Sequence, residues 1–439
     1  MKKVVKFGGS SLASAEQFRK AADIVRSDIS RRYVVPSAPG KRDPKDTKVT
    51  DLLYRCYDLA EAGRNYHEEL FRIRGRYDEI IRGLGMDLDL TEEFAEIERK
   101  IDARAGRAYA ASRGEYLNGK IMAAYLGFTF VDAAKVIYFN EDGEFDPELT
   151  DKVLAEKLAG IEKAVVPGFY GADPEGRICT FSRGGSDITG SIVARAIKAS
   201  LYENWTDVSG FLLTDPHIVK DPVIINIITY KELRELSYMG AGVLHDEAIF
   251  PVRKAGIPIN IRNTNDPDAP GTMIVKTTGA KSRYTITGIA GRKGFVAVNV
   301  EKDRMNSEIG FGRKVLEAFE KYGISFEHMP SGIDTLSVFV EQEAFEPKEQ
   351  AVLAAINRMA APDVITIDTD LALIAVVGRS MKDARGTAGR VFASLAHARI
   401  NVRMIDQGSD EENIIIGVKN DDFEAAIRAI YSIFVDTRI

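Results

Sequence analysis

The sequence predicts an α/β domain with a largely parallel central sheet, followed by two smaller α+β modules. Three observations carry this. Through roughly the first 280 residues, short β-branched runs alternate with longer stretches rich in Glu, Arg, Leu and Ala at helical spacing. Small or glycine-rich segments follow several of those runs directly, as at the ligand edge of an open α/β sheet. Beyond about residue 284 the pattern changes to two copies of strand–helix–strand–strand–helix.

Val4-Val5 is the first strand, and Lys6-Phe7-Gly8-Gly9-Ser10-Ser11 hands it over to a helix expected over about 15–30. Glycines let backbone approach a ligand, and amides at a helix N-terminus favour phosphate. Lys6 adds a mobile cation. An ordinary strand-to-helix turn with a solvated lysine is the competing reading. Tyr33-Val34-Val35 is a second strand, ended by Pro36-Ser37-Ala38-Pro39-Gly40. Residues 43–48 read as a polar, mobile connector, and a helix restarts near Thr50 or Asp51. From about 51 to 120 the charges read as solvated helix faces. Ser112-Arg113-Gly114-Glu115 is expected there as a small turn carrying both charges.

Phe128–Asp132 and 163–166 are strands, the latter leaving through Pro167-Gly168-Phe169-Tyr170-Gly171. Ser182-Arg183-Gly184-Gly185-Ser186-Asp187 then repeats the combination of paired glycines, a cation and a hydroxyl ahead of a helix over 188–199. Arg183 suits a bidentate grip on a carboxylate or phosphate. Asp187 suits a magnesium ion or a lysine, or simply complements the helix dipole. Two such cradles suit a reaction joining two anions, one of them a nucleotide. Trp205 reads as core, and Thr206-Asp207 and Thr214-Asp215-Pro216 as polar turns at the same edge. Met273–Val275 closes this domain and 276–283 is a linker.

Composition narrows the class. Hydrophobic residues make up 45% and charged residues 28% of 439, which is ordinary for a globular protein, and the net charge of −6 gives no support to nucleic acid or an anionic membrane as partner. Two distant cysteines, Cys56 and Cys179, point to a reduced, cytoplasmic protein. The scattered histidines form no zinc-ligand pattern with them. No signal core and no bilayer-length apolar run is present.

In this order, the motifs resemble those of the aspartate kinases, in the amino-acid kinase family. Lys6–Ser11, Ser37-Ala38, Gly114-Glu115, Arg183–Asp187, Trp205–Val208, Thr214–Pro216 and Leu236–His245 match the family pattern over roughly 270 residues. The resemblance implies a three-layer amino-acid kinase fold and transfer of a phosphoryl group from ATP to the side-chain carboxylate of L-aspartate. The product is 4-phospho-L-aspartate, the first intermediate toward lysine, threonine and methionine. By the same resemblance, Lys6, Gly8 and Gly9 would stabilise the transferring group, and Asp187 would orient Lys6 or organise Mg2+. Ser37, Thr50, Glu115, Arg183, Gly184 and Ser186 would hold aspartate, Arg183 on a carboxylate and Glu115 on the ammonium. Ser10, Thr206, Asp207 and Asp215 would join Lys6 and the glycines around ATP. A carboxylate ionised at neutral pH needs no general base, so positioning and charge neutralisation carry the catalysis. Gly242 and His217 depart from the pattern, which often has lysine and arginine there; Lys220 and Arg253 are the nearby candidates to replace them.

The C-terminal repeat resembles a pair of ACT domains, over 284–365 and 366–439, with residues 284–290 pairing into the second sheet. ACT modules bind amino acids where a strand meets a helix. The resemblance therefore implies an effector site at Met305, Ser307, Gly310, Phe311, Ser325 and Glu327. Glu327 favours lysine as the effector, with threonine the alternative. The loop at 407–413 would serve module pairing, and association through ACT sheets would give a homodimer or a dimer of dimers. Two other readings stay open: a sibling acyl-phosphate kinase acting on glutamate or a related acid, and a catalytically weak amino-acid-binding regulator.

Overall fold

The protein is described by a computed structural model covering residues 1–182, 184–241, 244, 246–280, 282–408 and 412–437. Arg183, Gly242, His245 and residues 409–411, all within motifs named above, lie outside the described residues. The chain forms two units. The first comprises 1–211, 224–230 and 243–278, and the second 212–223, 231–242 and 279–439.

The first unit carries strands β1 (Lys3–Phe7), β2 (Arg31–Pro36), β3 (Thr129–Phe130), β4 (Ala164–Val165), β5 (Tyr170–Ala172), β6 (Ile178–Thr180), β7 (Leu201–Thr206), β8 (Ile227–Thr229), β9 (Ile259–Asn263) and β10 (Thr272–Val275). All but the β5–β6 hairpin form one sheet, in the order β3-β4-β2-β1-β7-β9-β10-β8. Every pairing in it is parallel except β9–β10. Parallel strands need crossovers, which place helices on both faces. The helices are α1 (Ala15–Arg26), α2 (Val49–Glu61), α3 (His67–Gly83), α4 (Thr91–Asp102), α5 (Arg107–Leu126), α6 (Pro147–Ala159) and α7 (Gly185–Ala196). There follow α8 (Tyr230–Tyr238), which belongs to the second unit from Lys231 on, and α9 (Asp246–Ala255).

Side-chain alternation sorts the two faces. Val5, Phe7, Val34 and Trp205 enter one core with α1 to α5. Lys6 and Asn204, directly opposed across β1 and β7, lie on the other face, with α7. The expected strands and helices appear, with bounds that differ by a few residues. Two local expectations are corrected. Ser112–Glu115 is not a turn; it lies inside the 20-residue helix α5, with all four residues buried. Gly114 serves there as a small residue, since a Cβ would come within 2.8 Å of the Ala38 Cβ. The 43–48 connector is also tied down, because Asp46 pairs with buried Arg76 at 2.8 Å and with Arg42 at 3.0 Å.

The second unit has one six-stranded antiparallel sheet. Its strands are β11 (Gly288–Glu301), β12 (Phe326–His328), β13 (Thr335–Glu341), β14 (Val364–Val377), β15 (Met404–Asp406) and β16 (Asn413–Lys419), in the order β12-β13-β11-β14-β16-β15. Helices α10 (Phe311–Lys321), α11 (Gln342–Phe345), α12 (Glu349–Ala360), α13 (Thr387–His397) and α14 (Phe423–Val435) complete it. Strands β11 and β14 run the length of both repeats. The first half of β11 pairs with the β14 residues that also pair with β16, and its second half pairs with β13. The ribbon bends where the β11 register shifts, between Lys293 and Ala297, beside Gly294 (φ 89°) and Asp370 (φ 59°). The bend brings the outermost strands together: His328 Nδ1 on β12 lies 2.8 Å from Asp406 Oδ2 on β15.

Segments from the first part of the chain dock within this unit. Glu232 of α8, fully buried, accepts from the Arg379 guanidinium at 2.9 Å and from the Thr287 hydroxyl at 2.6 Å. Leu213 O accepts from Ile289 N at 2.7 Å.

Candidate active site

The C-terminal ends of β1, β2, β4 and β7 lie side by side in the parallel sheet, and the glycine-rich exits leave from them, the usual position of an α/β ligand site. Backbone bonds continue the ladder past the strand ends. Ser37 N donates to Phe7 O and Gly8 N to Trp205 O, each at 3.0 Å. Gly8 N–H is therefore engaged, which corrects its assignment as a phosphate donor. The pair also does not open an α-helix. A 3-10 turn, Ser10–Leu12, follows, and α1 begins later behind its own cap, Ser14. The role left to the glycines is close approach. A Cβ on Gly40 would lie 2.6 Å from the Gly9 carbonyl carbon, and Gly40 N donates to Gly9 O at 2.8 Å. The exits of β1 and β2 thus cross in contact.

Lys6 is 7% exposed, and its Nζ lies 2.6 Å from Asp187 Oδ1 on the first turn of α7. Asn204 Nδ2 donates to the same oxygen at 2.7 Å. Gly190 lets α7 approach β7, since a Cβ there would meet the Tyr202 hydroxyl at 2.6 Å. Asp187 Oδ1 thus takes both donors. Among the described residues no cluster of three His, Cys, Asp or Glu side chains is placed to hold a metal.

Glu115 is 5% exposed, and among the described residues its Oε2 has no hydrogen-bond partner. Burial pushes its pKa up to about 8, against the Ala38 amide and the Arg113 charge, which favour the ionised form. The Ser37 carbonyl accepts from Asn118 Nδ2 at 2.6 Å, which fixes the β2 exit against α5. Thr50 lies in the first turn of α2. Gly184 caps α7 in a left-handed conformation (φ 60°), and Ser186 is buried beside Gly168. Thr206 ends β7, its hydroxyl donating to Asp207. Asp215 belongs to the second unit, where its Oδ1 accepts from His217 N at 2.8 Å. Lys220 is exposed, also in the second unit, and Arg253 lies 5.5 Å from the Phe250 ring on α9.

Sequence reasoning missed Asn204 and Asn118. Both are buried amides in elements with apolar neighbours. A polar residue opposite Lys6 in a buried parallel strand was the available signal for Asn204.

In the second unit, Met305 and Phe311 enter one core, and Gly310 precedes α10 at φ 82°. Ser307 bonds Asn306, and Ser325 is exposed. Glu327 is engaged: Tyr238 OH donates to its Oε2 at 2.6 Å, and Arg292 lies 3.7 Å from its Oε1.

Residues 1–263 match the model of the amino acid kinase family, and 374–434 match an ACT domain. The fold and the sheet-edge site are those of a kinase of this class with a C-terminal regulatory region. Aspartokinase 3 of Bacillus subtilis is 38% identical over 98% of both chains. The crystal structure of Clostridium acetobutylicum aspartate kinase superposes with a TM-score of 0.90 at 49% identity, covering 99% of this chain and 100% of that one. E. coli aspartokinase III is 26% identical in two structures. With aspartate and ADP the TM-score is 0.75, covering 99% of each chain; with lysine and aspartate it is 0.72, covering 98% and 99%. This chain belongs to the aspartokinases, enzymes that phosphorylate aspartate with ATP under ACT-domain control. Among the described residues, no helix is long and apolar enough to cross a membrane.

Proposed function

We propose that the chain phosphorylates the L-aspartate side chain at the edge formed by β1, β2, β4 and β7, with Lys6 as the central cation. The observation that carries this is the pairing of buried Lys6 with Asp187, oriented by Asn204. An aspartate carboxylate oxygen bonds the γ-phosphorus as the bond to the β-phosphate bridging oxygen breaks. ADP leaves with that electron pair, and no proton moves. Lys6 and the Gly9–Ser10 backbone meet charge on the transferring group. Magnesium bound with ATP, with Asp187 beside it, would offset the repulsion between the two anions. Arg183, Gly184, Ser186, Ser37 and Thr50 hold the substrate, and Glu115 takes its ammonium through Oε2, which has no partner among the described residues. Thr206 and Asp207 serve the nucleotide.

The ACT-like modules, over 284–365 and 366–439, take lysine as inhibitor at the 305–311 turn and Ser325–Glu327; the lysine complex of the E. coli enzyme supports this choice. The protein works in the cytoplasm as a homodimer or dimer of dimers, in the pathway that leads to lysine. The test is coupled ADP release with magnesium-ATP and L-aspartate, with and without L-lysine or L-threonine. Aspartate-dependent turnover inhibited by lysine is expected. Turnover that survives Lys6→Ala would remove the assignment of the site.

A further inference from the structure

We propose that the second unit holds a binding site for a small carboxylate metabolite between its two half-sheets, separate from the 305–311 turn. The site goes beyond the kinase reading and does not depend on it. Along β11 and β13, Val296, Val298, Val300, Val338 and Val340 enter the core with α10 and α12. The alternate residues Asn299, Ser337 and Phe339 face the other way and line a cavity of about 310 Å3. Asp368 and Leu371 of β14, and Arg403 just before β15, form the opposite wall. The bend in the ribbon creates this space, and the His328–Asp406 contact holds its outer strands together. The volume is near the lower end for small-molecule sites, so it suits a short metabolite rather than a nucleotide.

The lining decides the chemistry. Asp368 is held by Lys419 at 2.6 Å and by Arg403 Nε at 3.4 Å, two cations against one carboxylate. Lys419, outside the lining, takes Asp368 Oδ1, so the carboxylate does not depend on Arg403 alone, and the Arg403 side chain is 38% exposed. Its terminal nitrogens fit a bidentate carboxylate. Asn299 Oδ1 accepts the Ser337 hydroxyl at 2.7 Å, which leaves the amide NH2 as a donor. Phe339 and Leu371 supply apolar wall for a short side chain.

The test is calorimetric titration of the full chain with L-threonine, L-alanine and propionate, and with 1-amino-2-propanol as a probe lacking the carboxylate. Saturable binding of at least one carboxylate is expected, with none for the amino alcohol. Arg403→Gln should weaken it about tenfold or more, the scale of a lost charged hydrogen bond. Asn299→Asp should weaken it by repulsion, and Glu327→Ala should leave it unchanged. Circular dichroism checks the fold of each variant. No binding by any carboxylate, binding unaltered in folded Arg403→Gln, or binding abolished by Glu327→Ala would each overturn the proposal. So would a drop in mass by light scattering on Arg403→Gln, which would make this face an interface between copies of the chain.

Discussion

Buried Lys6 and partly exposed Asp187 form an ion pair, 2.6 Å from Nζ to Oδ1, joining the first strand to the first turn of α7. Lysine packs there against a carboxylate that Asn204 also holds. Lys6→Ala should lower kcat by about 10²–10³, the usual loss for a removed charge-stabilising group. Asp187→Asn should also lower it, through the misoriented lysine. Steady-state kinetics with circular dichroism as a fold control measures both, and an unchanged kcat in folded Lys6→Ala would refute the assignment.

Glu115 gives a pH signature. Its folded pKa of about 8 is above the ordinary 4.5, so the empty protein carries a proton that the unfolded chain lacks between those values. That stabilisation is complete below about pH 4.5 and is lost as the pH rises toward 8. An ammonium ligand needs the ionised carboxylate, so aspartate binding should release a proton. Affinity should then tighten with rising pH, by up to about tenfold per unit below 8. Glu115→Gln should bind aspartate weakly and flatten both profiles. Calorimetry in buffers of different ionisation enthalpy counts the proton, and zero released at pH 7 would refute the pairing.

The crossing of Gly9 and Gly40 leaves no room for a methyl group. Gly40→Ala should force the β1 and β2 exits apart, costing about 1–3 kcal/mol of stability and more in kcat/KM than Gly75→Ala, whose site inside α3 is open. Denaturant unfolding and kinetics on both variants check this.

Arg379 neutralises a fully buried carboxylate. Arg379→Ala removes that guanidinium from the buried Glu232 carboxylate and should cost about 3–5 kcal/mol. Adding Glu232→Gln should recover part of that loss, as denaturation midpoints would show.

Glu327 cannot serve lysine fully while Tyr238 holds its Oε2. Tyr238→Phe should therefore tighten lysine inhibition several-fold, and Glu327→Ala should relieve it, both read from inhibition curves. Equal curves for wild type and both variants would remove Glu327 from the effector site.

The glycine exits, the parallel sheet and the C-terminal repeat were legible because each rests on local pattern: β-branched runs, small residues after them, and a recurring element order. Ser112–Glu115 was misread because Ser, Arg, Gly and Glu together have turn chemistry. Packing overrides it, with α5 buried on nearly all sides and Gly114 pressed against Ala38. The engagement of Gly8 N–H was invisible because its acceptor, Trp205, is distant in sequence. The sequence placed residues 284–290 in the second sheet, but not the continuation of that strand as β11 into the first, since two repeats in sequence do not reveal that their sheets are continuous.

The placement of α8 bears on how this enzyme can be divided. The kinase match runs to residue 263, yet α8 lies inside it and buries Glu232 against Arg379 and Leu236 against Gly288. Cutting at the family boundary would strip that helix of its counterparts. A fragment ending near 280 should therefore be recovered insoluble or only with a chaperone. Exchange of regulatory tails between relatives should work only when α8 and the 212–223 segment travel with the tail, so the natural unit of recombination is discontinuous in the gene.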